Sequence, residues 1–147
     1  MRKFIHILVG TFMALSSAHA RADIYVVVNK SNPVHSLTQK EVVNIFMGRT
    51  HAFAGGDYVR AFDLPRDSGA HEQFYQLLIG MTVAQVNTYW ARLIFTGQTL
   101  QPKALDNEDA MIETVRRNPG AIGYLTQEPL DKDVQVVLVL KTGQDHN

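Results

Sequence analysis

Asp63-Leu64-Pro65-Arg66-Asp67-Ser68-Gly69-Ala70-His71-Glu72-Gln73-Phe74 is the stretch on which the fold turns. Tyr58 to Asp63 reads as a short extended run that stops at Pro65. A polar Asp-Ser-Gly turn follows. An amphipathic helix then begins, with Phe74, Leu77, Leu78 and Met81 in one apolar stripe and Gly80 at its end. Backbone N–H groups at a helix start lack an intrahelical partner, and the helix dipole places partial positive charge there. A strand, a Ser-Gly turn and a helix therefore make an anion cradle. The Ser68 hydroxyl, the N–H groups of Gly69, Ala70 and His71, and the planar Arg66 guanidinium form a candidate oxyanion site. Two roles are open to Asp67: pairing with Arg66, or accepting a proton from a protonated phosphate. Read without a ligand, Ser68 is simply an N-cap.

Outward from this junction, strands and helices alternate. Ile24 to Val28 is β-branched and apolar on both faces, the pattern of a buried strand. Thr38 with Glu41 is a capping box that opens a helix carrying Val42, Val43, Ile45 and Phe46, with Gly48 as its stop. Thr82 with Gln85 is a second capping box. Its helix carries Val83, Val86, Trp90 and Leu93, and Trp90, Tyr89 and Phe95 are read as core. Gln98 to Leu105 is expected to be a loop. Asp106 or Asn107 caps a fourth helix, whose negative end suits Arg116 and Arg117. Ala121 to Leu125 and Val134 to Leu140 read as strands, with Tyr124 as packing.

This alternation predicts an α/β layer fold with a mostly parallel sheet flanked by helices, because helical crossovers return strands in parallel. Ligands of such sheets sit beyond the carboxyl ends of the strands. The turns after Asn29 and after Asp63 are both expected at that edge. Ser31 and Asn32 thereby become candidates to donate to the same ligand, against a plain reading as the turn before Pro33.

Residues 1–20 read as a signal peptide. Arg2 and Lys3 are its positive start, Phe4 to Leu15 its apolar run, and cleavage is expected after Ala20 or Ala22. The run is too short to span a bilayer comfortably, so export with cleavage and no membrane insertion of the mature chain is expected. Cleavage after Ala20 shortens the 147 residues to 127, one domain, spanning 21–147. It also removes Arg2 and Lys3 from 14 basic residues, which against 14 acidic ones leaves a net charge of −2. Nucleic acid is not an expected partner of such a surface. Without cysteine there is no disulfide framework, thiolate metal site or lipid anchor.

Catalysis finds little support. His71-Glu72 would need a histidine at position 75 for a zinc-protease pattern, and Tyr75 stands there. Ser68 lies in no G-x-S-x-G elbow. No metal or cofactor is expected.

Three blocks in order resemble the phosphate-binding proteins of ABC transporters. Ser36-Leu37-Thr38-Gln39-Lys40-Glu41-Val42-Val43-Asn44-Ile45-Phe46-Met47-Gly48-Arg49 is similar to their Leu-Thr segment and the helix ending Ile-Phe-x-Gly-Lys. Arg66-Asp67-Ser68-Gly69-Ala70 resembles their Arg…Ser-Gly-Thr phosphate turn. Asn118-Pro119-Gly120-Ala121-Ile122-Gly123-Tyr124 resembles their Pro-Gly-Ala-Ile-Gly-Tyr segment. Tyr89 to Gly97 resembles a segment of short, single-lobe members. Ala70 stands where the family has Thr, and Arg66 is nearer the serine than is usual. Full-length members have two lobes, and this chain has room for about one.

The resemblance implies a single-lobe, periplasmic-binding-protein-like domain that binds inorganic phosphate or a related oxyanion without covalent chemistry. It also implies work with an ABC permease or with a second copy of the chain. The alternative is an accessory or adaptor module of the same fold that binds a protein.

Overall fold

The computed structural model describes residues 22–97 and 100–143. The signal-peptide reading of residues 1–20 therefore lies outside the described residues. Among the described residues no helix is long and apolar enough to cross a membrane.

Among the described residues nine elements follow in order: β1 (Ile24–Asn29), α1 (Gln39–Phe46), β2 (Arg60–Asp63), α2 (Gly69–Ile79), α3 (Val83–Phe95), β3 (Lys103–Ala104), α4 (Glu108–Arg117), β4 (Ala121–Leu125) and β5 (Val134–Leu140). Local chemistry sets the helix starts. Both capping boxes form, Thr38 with Glu41 and Thr82 with Gln85. Ser68 caps α2, and Asn107 rather than Asp106 caps α4. Gly80 closes α2 in the left-handed region, at φ 67°.

The strands form one mixed sheet in the order β3-β2-β4-β1-β5. β2 runs parallel to both β3 and β4. β1 pairs antiparallel with β4 and with β5, so four of the five strands run one way and β1 alone is reversed. The two-residue β3 lies inside the stretch read as a loop, too short for period-2 patterning to register.

The core lies between sheet and helices. Phe46, Phe74, Trp90, Met111 and Tyr124 are all buried. Phe74 stacks on Tyr124 at 3.8 Å, and Phe46 meets Phe74 edge-on at 4.7 Å. Gly123 makes room for Met111 where α4 packs on β4: a Cβ there would come within 2.2 Å of Met111 Sδ, and the thioether would have to move. One core reading is overturned. Phe95 is 94% exposed. It is the last residue of α3, where the helix runs past the face that buries Trp90.

Candidate functional site

β2 ends in Asp63, and the chain turns through Leu64-Pro65-Arg66-Asp67 into α2. The turn is closed by Ser68, whose N–H reaches the Pro65 carbonyl at 2.9 Å. Its hydroxyl donates to the same carbonyl at 2.5 Å and accepts from the His71 N–H at 3.2 Å. That bond satisfies one orphan donor of the helix start. The N–H groups of Gly69 and Ala70 precede the first intrahelical donor, the Glu72 N–H that reaches the Ser68 carbonyl, and have no helical partner. Gly69 is exposed, with open space where a Cβ would stand. Asp67 is exposed, and no ion pair joins it to Arg66 among the described residues.

Arg66 is also exposed, and its Nη2 donates to the Pro102 carbonyl at 3.4 Å. The guanidinium is thus directed at the segment that leads into β3, and it lines a cleft of about 690 Å³ with Lys103 and Ala104.

Behind the turn lies a buried polar node that the sequence reading did not identify. Asp63 is 1% exposed. Its Oδ2 accepts from the Tyr75 hydroxyl at 2.8 Å, and its Oδ1 accepts from the Tyr124 hydroxyl and from the Leu64 N–H. His71 Nε2 lies 3.5 Å from Oδ2, while His71 Nδ1 is buried with no hydrogen-bond partner. Burial pushes both tyrosine hydroxyls well above their ordinary pKa of 10.0, and the negative Asp63 beside them pushes the same way. Arg66 opposes this at Tyr75, and the Leu64 N–H opposes it at Tyr124. The node clamps the first turn of α2 to the end of β2 and to β4, which fixes where the Ser68 turn stands. Tyr124 packs, as its apolar neighbours suggested, but its hydroxyl belongs to this node. The available signal was an aspartate ending a strand after Ala61 and Phe62, with a tyrosine one helical turn beyond His71.

Ser31 and Asn32 do not join the site. Asp63 stands level with Tyr124 and hence with Val26, so the end of β1 at Asn29 points to the opposite end of the sheet. The expectation that both turns share an edge assumed a parallel β1. Asn32 is buried, and its side chain bonds the Pro119 carbonyl and the Val34 N–H. Ser31 bonds Asn29, whose amide holds the last carbonyls of α4. These residues do the structural work of a turn. Among the described residues no cluster of histidine and acidic groups could hold a metal ion.

No family model matches the sequence, and no curated protein matches it at a significant level. Solved structures do match. One is a candidate phosphate ABC transporter substrate-binding protein from Clostridium perfringens with bound phosphate, at TM-score 0.63 and 21% identity, over 79% of this chain and 45% of that one. Another is an ABC-type phosphate transport receptor from Vibrio cholerae, at TM-score 0.61 and 18% identity, over 79% and 46%. A third is a possible phosphate-binding protein from Planctomyces limnophilus, at TM-score 0.57 and 16% identity, over 80% and 42%. The chain spans less than half the length of each. At these identities the likeness is one of fold: this chain shares the α/β architecture of part of the phosphate ABC transporter substrate-binding proteins.

Proposed function

We propose that the chain is an exported solute-binding module that holds inorganic phosphate or a related oxyanion, without covalent chemistry, at the start of α2. Cleavage after Ala20 or Ala22 would release it to the periplasm as a single domain. The observation that carries this reading is the Ser68 junction. It presents two unpaired amide donors on a clamped helix start, in a fold shared with proteins described as phosphate receptors. Arg66 supplies the nearest cation on the same turn. Asp67 accepts a hydrogen bond from a monoprotonated phosphate. The Ser68 hydroxyl contributes by leaving the Pro65 carbonyl and donating to the anion. The role is binding rather than catalysis, and delivery to an ABC permease is the natural use of such a module.

Two or three charge-assisted hydrogen bonds of roughly 1.5–3 kcal/mol each, set against association costs of several kcal/mol, place one surface alone in the high-micromolar to millimolar range. Calorimetric titration of phosphate into the protein tests the reading, with Ser68→Asp as the control that fills the cradle with its own carboxylate. Saturable heat in the protein and none in the variant is expected. Absence of heat up to about 10 mM phosphate would reject a free-standing receptor.

A further inference from the structure

Five of the six large apolar side chains that the described residues leave exposed fall on two surfaces of opposite charge. The first is a groove along the β3 edge of the sheet. Two clefts, of about 380 and 690 Å³, lie side by side and share Leu100, Gln101 and Pro102 in their lining. Tyr58, Ile94 and Leu100 line it, Leu100 being 84% exposed, and Phe95 stands beside Ile94. Its cations are Arg60, Arg66 and Lys103, and among the described residues no aspartate or glutamate lines it. In a chain with equal numbers of acidic and basic residues, that is a local imbalance.

The second surface is the loop between β4 and β5. Leu130 projects from it fully exposed, between Glu128 and Asp131, with Asp109 on the adjoining turn of α4. Lys132 is the one cation in the loop. The loop is held in shape. Thr126 binds Glu108 through its N–H at 2.5 Å and its hydroxyl at 2.8 Å, and Asp131 accepts from the Asp133 N–H at 2.8 Å. Little conformational freedom is therefore left to be lost on docking.

We infer that the occupant of the groove is a second copy of this chain, which inserts its Leu130 loop with Glu128 and Asp131 against Arg60, Arg66 and Lys103. An apolar peg flanked by carboxylates meets an apolar trough flanked by cations, so attraction and burial act together. The contact joins two different patches, which makes it head-to-tail: each copy keeps one open groove and one free loop, and assembly grows with concentration. The inference rests on observations other than the amides of the Ser68 turn, and shares only Arg66 with the proposed phosphate site.

Sedimentation velocity of the purified protein tests it, from about 5 to 500 µM, a span that brackets micromolar to sub-millimolar affinity. The weight-average coefficient should rise with concentration, and less steeply in high salt. Leu130→Asp spoils the loop and Leu100→Asp spoils the groove. Each variant alone should self-associate about tenfold or more weakly than the parent. Their equimolar mixture holds one intact groove and one intact loop per pair, and should form a complex that stops at two. Both residues are exposed, so circular dichroism should find both variants folded. A protein monomeric throughout the range overturns the inference. So does association that survives both substitutions, which would run through another surface, the apolar N-terminal segment included. A mixture that fails to pair overturns it as well.

Discussion

Raising the pH interrogates the buried node on which the Ser68 turn rests. In the folded protein the Tyr75 and Tyr124 hydroxyls are held well above pKa 10.0 by burial and by Asp63. In the unfolded chain both ionise near 10. Above that pH the unfolded state therefore binds fewer protons than the folded state, and stability falls as pH rises. The contribution is complete below pH 10 and is lost as pH climbs toward the raised values. Each hydroxyl adds a slope of about 1.4 kcal/mol per pH unit, so two add about 2.7. Integrated from neutrality to pH 11, the loss is about 3 kcal/mol, a large part of a typical 5–15 kcal/mol. Urea unfolding at a series of pH values reads this directly, because Trp90 is the chain's one tryptophan and is buried. Tyr75→Phe should cost roughly 1.5–3 kcal/mol at neutral pH, the value of a hydrogen bond to a charged group, and should halve the alkaline slope. The Tyr75→Phe/Tyr124→Phe double variant should abolish the slope. Stability that stays level to pH 11, or a slope that persists in the double variant, would refute the reasoning.

Gly123→Ala places a methyl against Met111 Sδ and should destabilise by about 1–3 kcal/mol in urea melts, with Met111→Val recovering part of it. A Gly123→Ala melt that matches the parent would mean α4 does not press on β4 as described. Thr38→Ala removes the acceptor for the Glu41 N–H and should cost about 1 kcal/mol. Restoration by Thr38→Ser but not by Thr38→Val would assign that cost to the cap. Phe95→Ser should change stability by no more than about 0.5 kcal/mol, whereas Trp90→Ala should cost about 3–5. A large loss at Phe95 would return that residue to the core.

Most element boundaries were readable because the residues that set them act locally. Thr38 with Glu41, and Thr82 with Gln85, satisfy helix-start donors with side chains three residues apart, whatever the rest of the chain does. Ala121 to Leu125 and Val134 to Leu140 are apolar runs with the bounds the structure gives them. What escaped was set by distant partners. The reversal of β1 depends on which strands flank it in the finished sheet, and Ile24 to Val28 carries no mark of direction. That reversal alone removes Ser31 and Asn32 from the ligand end. Asp63 was legible as the end of a strand, but its acceptor role depends on Tyr124, 61 residues away. Phe95 continues the aromatic stripe of its helix, and only the finished packing leaves its last turn beyond the core. The Ser68 cap was legible for the same local reason as the capping boxes, but it takes up the His71 N–H expected among the anion donors and leaves only those of Gly69 and Ala70 unpaired. The direction of Arg66 was not legible, since Pro102 lies 36 residues on.

The reversed strand also sorts the two ends of the sheet by role. At one end Asn29, Asn32 and their carbonyl partners from α4 and Pro119 consume the polar groups among themselves. At the other, β2, β4 and β5 finish, β1 begins, and α2 starts with two amides unpaired. Polar capacity is spent at the first end and left available at the second. The clamp through Asp63, Tyr75 and Tyr124 explains why those amides keep their place without a ligand, so an arriving anion need not order the turn. Preorganisation of this kind lowers the cost of binding but adds no contacts. An anion on the Ser68 turn is met from one side only, and its far oxygens remain in water. Tight capture therefore requires a second donor surface facing this end of the sheet.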